Sequence, residues 1–319
     1  MSRFLKVFLR EPVNGQVHVA GFGKHPAWDD HIDDIGLDTE TLVLTKKLLY
    51  SQGIATQLAS GAWDQLEKSG NAIEFNHRFC WSRENQAVAG AIWASSDGKG
   101  RTRFPMIICV QVDVEGWRAI DQLLGPIDQL GIKSKSAKTS SEFRELIPRL
   151  EVEIFGLVRT PSGANPASQM TESQQIAILP DLITLAAALK NRLPRGAHES
   201  VRSNGAHFRL ASLLPGPGKN LSFWSAYLAA LGLPSSPPCL AIATSGKPWV
   251  DLIVGEPADA DFFCLRANQT ALPATWLQVA ESDRRKVERT ARDFLQASSP
   301  GHVVATTPQR SWWRSLFTR

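Results

Sequence analysis

The chain has 319 residues, of which 43% are hydrophobic and 21% are charged, and its formal net charge is +4. These values fit a globular protein of one large or two ordinary domains with an ample core. The positive charge is spread along the chain without a dense Lys/Arg block, so nucleic acid is not expected as a partner. No apolar run approaches a membrane span, and charged residues interrupt the N-terminal apolar patch before a signal-peptide core could form. We therefore expect a cytoplasmic protein with no transmembrane segment.

The first half of the chain has the pattern of a strand, two helices and an antiparallel meander. The first strand ends in the segment GFGKHP, where Pro26 keeps His25 away from helical backbone angles and forces a turn. Asp38 is placed to cap the helix that follows. The predicted strands cover residues 17–22, 73–82, 87–94 and 104–112, and the predicted helices cover residues 39–60 and the surroundings of Trp63.

The stretch from residue 87 to residue 112 organises this prediction. Two glycines in three residues permit positive φ, so a tight polar turn over residues 95–100 can join two strands as a hairpin. The run MIICV that follows has no polar alternation, which is typical of a strand covered on both faces. Lys99, Arg101 and Arg103 cluster at one end of the sheet, where they could meet an anion or an acidic partner. A solvated turn is the plainer interpretation of these three residues.

The second half is predicted to alternate helices with short strands. Thr139 with Glu142 three residues later matches a capping box. Pro148 is expected to interrupt the helix that this box opens. The predicted helices cover residues 118–130, 181–190, 221–231 and 282–296, the strands cover 206–214, 240–243, 249–254 and 262–265, and a long loop covers 160–173.

The domain organisation is predicted in three parts. Residues 1–150 form an N-terminal module, and residues 151–298 form an α/β part that packs on the same sheet, although a separate domain over residues 151–270 stays open. Residues 299–319 are a basic tail containing Trp312 and Trp313. This tail could lie at a membrane surface, dock in a partner groove or be disordered.

The four cysteines are far apart, and each lies in an apolar, strand-like stretch. The sequence contains no paired-cysteine metal motif. We therefore expect free thiols that are buried as small hydrophobic side chains. These residues are Cys80, Cys109, Cys239 and Cys264.

A dense group of imidazole and carboxylate side chains follows the first strand. His25, Asp29, Asp30 and His31 could hold a divalent metal, which would lower the pKa of a bound water for hydrolysis. Against this, no two histidines have the spacing that places both on one helical face, and aspartates are common in turns as backbone caps. No nucleophile elbow, Walker sequence or Cys/His pair indicates catalysis elsewhere. A metal-dependent hydrolase is therefore the alternative hypothesis, and we predict no cofactor and no enzymatic activity.

Two segments resemble a known family. GFGKHP at residues 21–26, followed by Asp30, and GRTRFPM at residues 100–106 resemble the TagF family of type VI secretion-associated proteins. That family has a Gly-Phe-Gly-Lys-Leu-Pro-like turn near its start and a Gly-Arg-Arg-Phe-Pro-Leu-like segment further on, in the same order and at a similar separation. The resemblance covers residues 17–112, with a weaker continuation in SFW and GLP at residues 222–224 and 232–234.

The resemblance implies an α/β fold with a mixed β-sheet flanked by helices, a three-layer sandwich, and a role that is not enzymatic. Family members restrain assembly of the secretion apparatus after translation, in connection with a forkhead-associated scaffold protein and threonine phosphorylation. For this chain it implies an accessory or regulatory protein of a type VI secretion system that acts through protein contacts. The candidate binding surface is Lys24, Asp30, Lys99, Arg101 and Arg103, and the residues expected to be structural are Gly21, Gly23, Pro26, Phe104 and Pro105.

Both matched turns leave apolar strands, so we expect them to be neighbours at one end of a shared sheet. Lys24 and Arg103 could then pair with Asp29 or Asp30. A buried ion pair of this kind is costly to break but is weak evidence for catalysis.

Overall fold

The computed structural model describes residues 17–83, 86–112, 116–158, 166–192, 206–231, 239–275 and 281–296. Its strands are β1 (Val17–Gly23), β2 (Asn76–Arg83), β3 (Gln86–Trp93), β4 (Met106–Val112), β5 (Ala206–Ala211), β6 (Cys239–Thr244) and β7 (Trp249–Val254). Its helices are α1 (Glu40–Lys46), α2 (Thr56–Ala59), α3 (Ala62–Lys68), α4 (Gly116–Ser136), α5 (Ser140–Val158), α6 (Glu172–Arg192), α7 (Pro217–Ala230) and α8 (Glu281–Gln296). A π-helix (Lys47–Ala55) joins α1 to α2, and 3-10 helices cover Pro166–Gln169 and Asp259–Leu265. The predicted GLP segment, the first part of the predicted long loop and the tryptophan-containing tail lie outside the described residues.

The strands form one 7-stranded sheet in the order β1-β4-β3-β2-β6-β7-β5. The predicted α/β fold with a sheet flanked by helices is confirmed. Every pairing between these strands is antiparallel, so the sheet is antiparallel where the sequence analysis expected a mixed one. The reason is the placement of the helical connections: the chain passes from β1 to β2, and from β4 to β5, across strands that lie between them. A helical connection therefore never delivers the next strand beside the previous one, which is what a parallel pair needs.

Helices cover both faces of the sheet, which makes the predicted three layers. Helices α4 to α8 pack on one face, and the residues buried there include Ile120, Phe143, Leu182 and Trp224. The other face is covered by the helical segment 40–68 and by the 3-10 helix Asp259–Leu265. The two layers bury the sheet from both sides, as expected for strands that read as continuous apolar runs.

Strand β4 lies inside the sheet, as its unbroken apolar sequence predicted. All seven of its residues are buried, and it pairs with β1 on one side and β3 on the other. The meander of β2, β3 and β4 is also as predicted. Strand β2 pairs with β6 on its other side, so the strands of the second half extend the same sheet.

The helix predicted over residues 39–60 is continuous but includes the π-helical turn in its middle. Its N-cap is Thr39 and not Asp38, because the Thr39 hydroxyl accepts the backbone N–H of Leu42 at 3.2 Å. The Thr39 side chain is itself fixed by a 2.5 Å hydrogen bond to Gln111 of β4. A contact with a residue far away in sequence thus selected the cap.

The expected interruption at Pro148 was wrong, because α5 continues through it. A proline inside a helix costs about 3 kcal/mol. Each large apolar side chain that the helix buries returns about 1.5–3 kcal/mol, so the four buried on the sheet outweigh that cost. They are Phe143, Ile147, Leu150 and Ile154.

The strand predicted over residues 262–265 was also wrong. Phe262, Cys264 and Leu265 are buried as expected, but they lie on the 3-10 helix Asp259–Leu265. The Asp261 carboxylate accepts the backbone N–H of Ala258 at 2.8 Å and so fixes the first turn of this helix. Short apolar runs do not distinguish a strand from a buried helical turn, and here the local capping decided.

Candidate functional site

The two turns that resemble the family motifs lie side by side. Strand β1 ends at Gly23, whose φ is 104°, and the next residue, Lys24, donates its backbone N–H to the carbonyl oxygen of Pro105 at 3.0 Å. A Cβ added to Gly23 would overlap that same carbonyl oxygen. A glycine is therefore required here twice, for its backbone angle and for the close approach of the second turn.

Lys24 is the centre of an ion-pair cluster at this end of the sheet. Its ammonium group lies 2.5 Å from a carboxylate oxygen of Asp30 and 2.7 Å from one of Asp97. The Lys24 side chain is 4% exposed and that of Asp97 is 0% exposed, whereas Asp30 is 65% exposed. A buried ammonium group needs paired carboxylates, and the chain supplies one from each turn.

Arg101 closes the cluster from the second turn. Its Nε donates to Asp97 at 2.7 Å, and its Nη2 donates to Asp30 at 3.0 Å and to the backbone carbonyl of Asp29 at 2.9 Å. The Arg101 side chain remains 53% exposed. Two cations and two carboxylates therefore balance, and the outer half of the cluster faces water. We call Lys24, Asp30, Asp97 and Arg101 the ion-pair cluster.

Asp97 holds the second turn in shape as well as joining it to the first. Its Oδ1 accepts the backbone N–H groups of Lys99 and Arg101, each at 3.0 Å, in the manner of an Asx turn. The backbone N–H of Gly98 donates to the carbonyl of Trp28 at 2.7 Å, which adds a further link between the turns. The predicted basic loop is thus fixed by one buried aspartate.

The hydrogen bonds of the cluster favour its charged state. Burial alone would raise the pKa of Asp97, but the hydrogen bonds from Lys24 and Arg101 outweigh burial and hold that pKa well below its usual range. The hydrogen bond from Lys24 also lowers the pKa of Asp30. Both carboxylates therefore stay ionised and the ion pairs persist at neutral pH.

The five residues predicted as a binding surface separate into two groups. Lys24, Asp30 and Arg101 belong to the ion-pair cluster, and Lys99 contributes its backbone N–H to the turn while its side chain is exposed. Arg103 does not pair with Asp29 or Asp30, one of the pairings considered from the sequence. It donates instead to Asp64 of α3 at 2.7 Å.

Asp97 and Asp64 were not identified from the sequence as site residues. Asp97 lies in a polar turn with two glycines, where an aspartate is normally exposed, and its partner Lys24 is 73 residues away. The only local signal for Asp97 was the possibility of an Asx turn within its own loop. Asp64 lies on a helix and carried no signal at all.

The residues expected to be structural surround the cluster. Gly21 exchanges backbone hydrogen bonds with Ile35, and a Cβ on it would press against the ring of Phe143 on α5. The ring of Phe104 lies 5.2 Å from that of Tyr50 and 5.4 Å from that of His31. The remaining three are Gly23 and Pro105, which make the contact described above, and Pro26, which is exposed.

The alternative metal set, His25, Asp29, Asp30 and His31, is not assembled as a ligand group. The His25 ring is buried, its Nε2 lies 2.7 Å from the carbonyl oxygen of Ser134, and its Nδ1 accepts the backbone N–H of Ala27 at 3.0 Å. Burial lowers the pKa of His25, so the neutral ring keeps this arrangement. With both nitrogens engaged, His25 has no lone pair for a metal. Oδ1 of Asp30 pairs with Lys24 and Arg101 and lies 3.0 Å from Nδ1 of His31.

The comparisons with known proteins assign no family. No family model matches the chain, and no curated protein matches it. The crystal structure of PA0076 from Pseudomonas aeruginosa PAO1 is similar to 82% of this chain and 100% of that one, with a TM-score of 0.43 and 12% sequence identity. Among the described helices, none is long and apolar enough to cross a membrane.

Proposed function

We propose that this protein is an accessory or regulatory protein of a type VI secretion system and that it acts by binding another protein. The partner that the family resemblance implies is a forkhead-associated scaffold protein of the system. The observation that supports this proposal is the ion-pair cluster, because it joins the two segments that carry the resemblance into one surface. Lys24 from the first motif and Arg101 from the second pair with the same carboxylate, that of Asp97.

The form of the cluster suits recognition of a polar protein surface. Lys24 and Asp97 form a buried base, on which Asp30 and Arg101 are held with half or more of each side chain exposed. Charges that are already held in place lose less conformational freedom when a partner binds. Adjacent charges of opposite sign also select a partner with the complementary arrangement and disfavour others.

The same geometry argues against the hydrolase alternative. The Lys24 ammonium group is shared between two carboxylates and offers no free base, and both nitrogens of His25 already have partners. A general base or metal ligand needs a lone pair that can reach a substrate. This supports the proposal that the cluster is a contact surface, in which two cations and two carboxylates balance.

Charge reversal at the exposed arginines tests the proposal. The forkhead-associated scaffold protein of the same organism is co-expressed, and its binding to the purified wild type is compared with that of Arg101→Glu and Arg103→Glu. Each variant is expected to weaken the Kd at least about tenfold, because an attractive charge becomes a repulsive one. Arg103→Glu keeps the buried cluster intact, since Arg103 pairs with Asp64 and, among the described residues, makes no ion pair with the cluster.

Arg289→Glu on α8 is the matched control, because Arg289 is exposed and makes a similar surface pair with Asp293. It should bind like the wild type. Circular dichroism on all variants separates lost binding from lost folding. Absence of binding by the wild type, or equal binding by all variants, would refute the proposed function. Stoichiometric metal that Asp30→Ala removes would instead favour the hydrolase.

A further inference from the structure

Four side chains that can bind a metal or a proton meet near the edge of the sheet formed by β7 and β5. The ion-pair cluster lies near the opposite edge, beside β1 and β4. His207 lies on the edge strand β5, Asp251 on the neighbouring strand β7, and Cys264 on the 3-10 helix Asp259–Leu265. One ligand atom from each of these three lies within 4.8 Å of the other two. In the part of the chain that the structure describes, no other group of three such residues converges as closely. Asp261, the fourth, lies behind His207.

The aspartate of this group is held rigidly by Arg209. Nε of Arg209 donates to one carboxylate oxygen of Asp251 and Nη2 donates to the other, both at 2.8 Å, and both side chains are 1% exposed. Nη1 of Arg209 donates to the backbone carbonyls of Ala267, Asn268 and Leu272. The carboxylate therefore has a fixed orientation. Ligating carboxylates in metal sites are typically oriented by hydrogen bonds of this kind.

The histidine ring lies between two carboxylates. Its Nε2 lies 3.0 Å from Oδ1 of Asp251, and its Nδ1 lies 3.7 Å from Oδ1 of Asp261 on the opposite side of the ring. A metal-binding histidine typically directs its second nitrogen towards a carboxylate, which fixes the ring and its tautomer. The His207 side chain is 17% exposed, whereas Asp251 and Cys264 are buried, so His207 lies on the solvent side of the group.

We propose that His207, Asp251 and Cys264 bind a zinc ion. Imidazole nitrogen, carboxylate oxygen and thiolate sulfur are the ligands that Zn²⁺ takes, usually in tetrahedral geometry with Zn–N and Zn–O distances of about 2.0–2.2 Å. Two such ligands on one tetrahedral ion are about 3.3 Å apart. The observed separation of 3.0 Å between His207 Nε2 and Asp251 Oδ1 is close to this value. The ion would take the place of the hydrogen bond that now joins these two atoms.

The charges of the group also allow the ion. Arg209 and Zn²⁺ together carry three positive charges, and Asp251, Asp261 and a Cys264 thiolate carry three negative charges, so the loaded site is neutral. Cys264 is a buried free thiol, and it would bind the ion as a thiolate after losing its proton. On binding, that proton leaves to the buffer, and the imidazole proton occupies Nδ1, facing Asp261. The ion would join β5, β7 and the 3-10 helix.

Cobalt and zinc titrations of the full chain test this site. Co²⁺ bound through a thiolate produces sulfur-to-cobalt charge-transfer absorption in the near ultraviolet, and Zn²⁺ should abolish it by displacement. Calorimetry with Zn²⁺ should give one ion per chain, with release of at least one proton, measured in two buffers of different ionisation enthalpy. His207→Ala and Cys264→Ser should each weaken zinc binding at least about tenfold.

Two matched variants serve as controls. Cys239→Ser removes a thiol from β6, and His31→Ala removes an exposed imidazole beside the ion-pair cluster. Both should keep the cobalt absorption and the stoichiometry of the wild type. Because His207 is partly exposed, His207→Ala also tests the site if Cys264→Ser does not fold. The proposal is wrong if the wild type shows no charge-transfer band, or if the band survives in both His207→Ala and Cys264→Ser. Neither result bears on binding of a protein partner at Arg101 and Arg103.

Discussion

Replacing Gly23 with alanine tests the contact between the two turns most directly. Gly23 has a φ of 104°, and its Cα faces the carbonyl oxygen of Pro105, so an added methyl group must push the second turn away. That movement would break the hydrogen bond from the Lys24 backbone N–H to Pro105 and strain the one from Ile32 to the Gly23 carbonyl. Both bonds lie next to the ion-pair cluster.

The expected loss of stability follows from these two effects. A non-glycine residue in a sparsely populated backbone region costs about 1–3 kcal/mol. Each of the two backbone hydrogen bonds contributes about 0.5–1.5 kcal/mol. The free energy of unfolding should therefore fall by about 2–6 kcal/mol in Gly23→Ala.

Gly100→Ala is the matched control, because Gly100 also has a positive φ, 78°, but has no atom within 4 Å of an added Cβ. Its cost should be the backbone strain alone, about 1–2 kcal/mol. Urea unfolding followed by circular dichroism measures both variants, with the m-value checking that two-state unfolding persists. Equal losses in the two variants would refute the close approach of the turns.

Two further predictions concern titratable groups. Because the folded-state pKa of Asp97 is lowered, its stabilisation is present above about pH 4 and is lost as the pH falls towards the folded pKa. The difference in urea midpoint between the wild type and Asp97→Asn should thus narrow below pH 4. Asp38→Asn, at an exposed position, is the control and should have the urea midpoint of the wild type. A difference for Asp97→Asn that stays constant with pH would contradict a lowered pKa of Asp97. Burial raises the pKa of Cys80 and Cys239 to about 12, so a thiol reagent at pH 8 should label the native protein slowly and all four cysteines after unfolding. Rapid labelling of Cys80 in the native state would show that its strand is open.

Sequence patterns worked well where neighbouring residues carry the information. The unbroken apolar run of β4 indicated a strand covered on both faces, and it lies between β1 and β3 with every residue buried. The glycine-containing turn over residues 95–100 indicated a hairpin, and β3 and β4 pair antiparallel on either side of it. The paired motifs at Gly21 and Phe104 indicated two turns that leave neighbouring strands.

The same patterns failed where a distant residue decides. Thr39 caps its helix in place of Asp38 while bonded to Gln111, and Pro148 stays in a helix because of the side chains buried beside it. His25 was a candidate metal ligand in the sequence. In the structure its Nε2 is hydrogen-bonded to the carbonyl oxygen of Ser134, which is 109 residues away in the chain. Hydrogen bonding at these positions depends on which chain segments meet.

The sequence by itself determined the α/β class and most strands, because these follow from periodicity and turn chemistry over a few residues. The tertiary structure alone decided the strand order, the antiparallel pairing throughout the sheet, and the partners of the charged residues. Asp97 illustrates the difference, since an aspartate in a glycine turn reads as exposed until Lys24 is placed beside it. The same holds for Asp251, whose neighbours His207 and Arg209 come from another strand. Charge pairs and ligand groups depend on distances in space, and no local pattern encodes a distance between residues that are far apart in the chain.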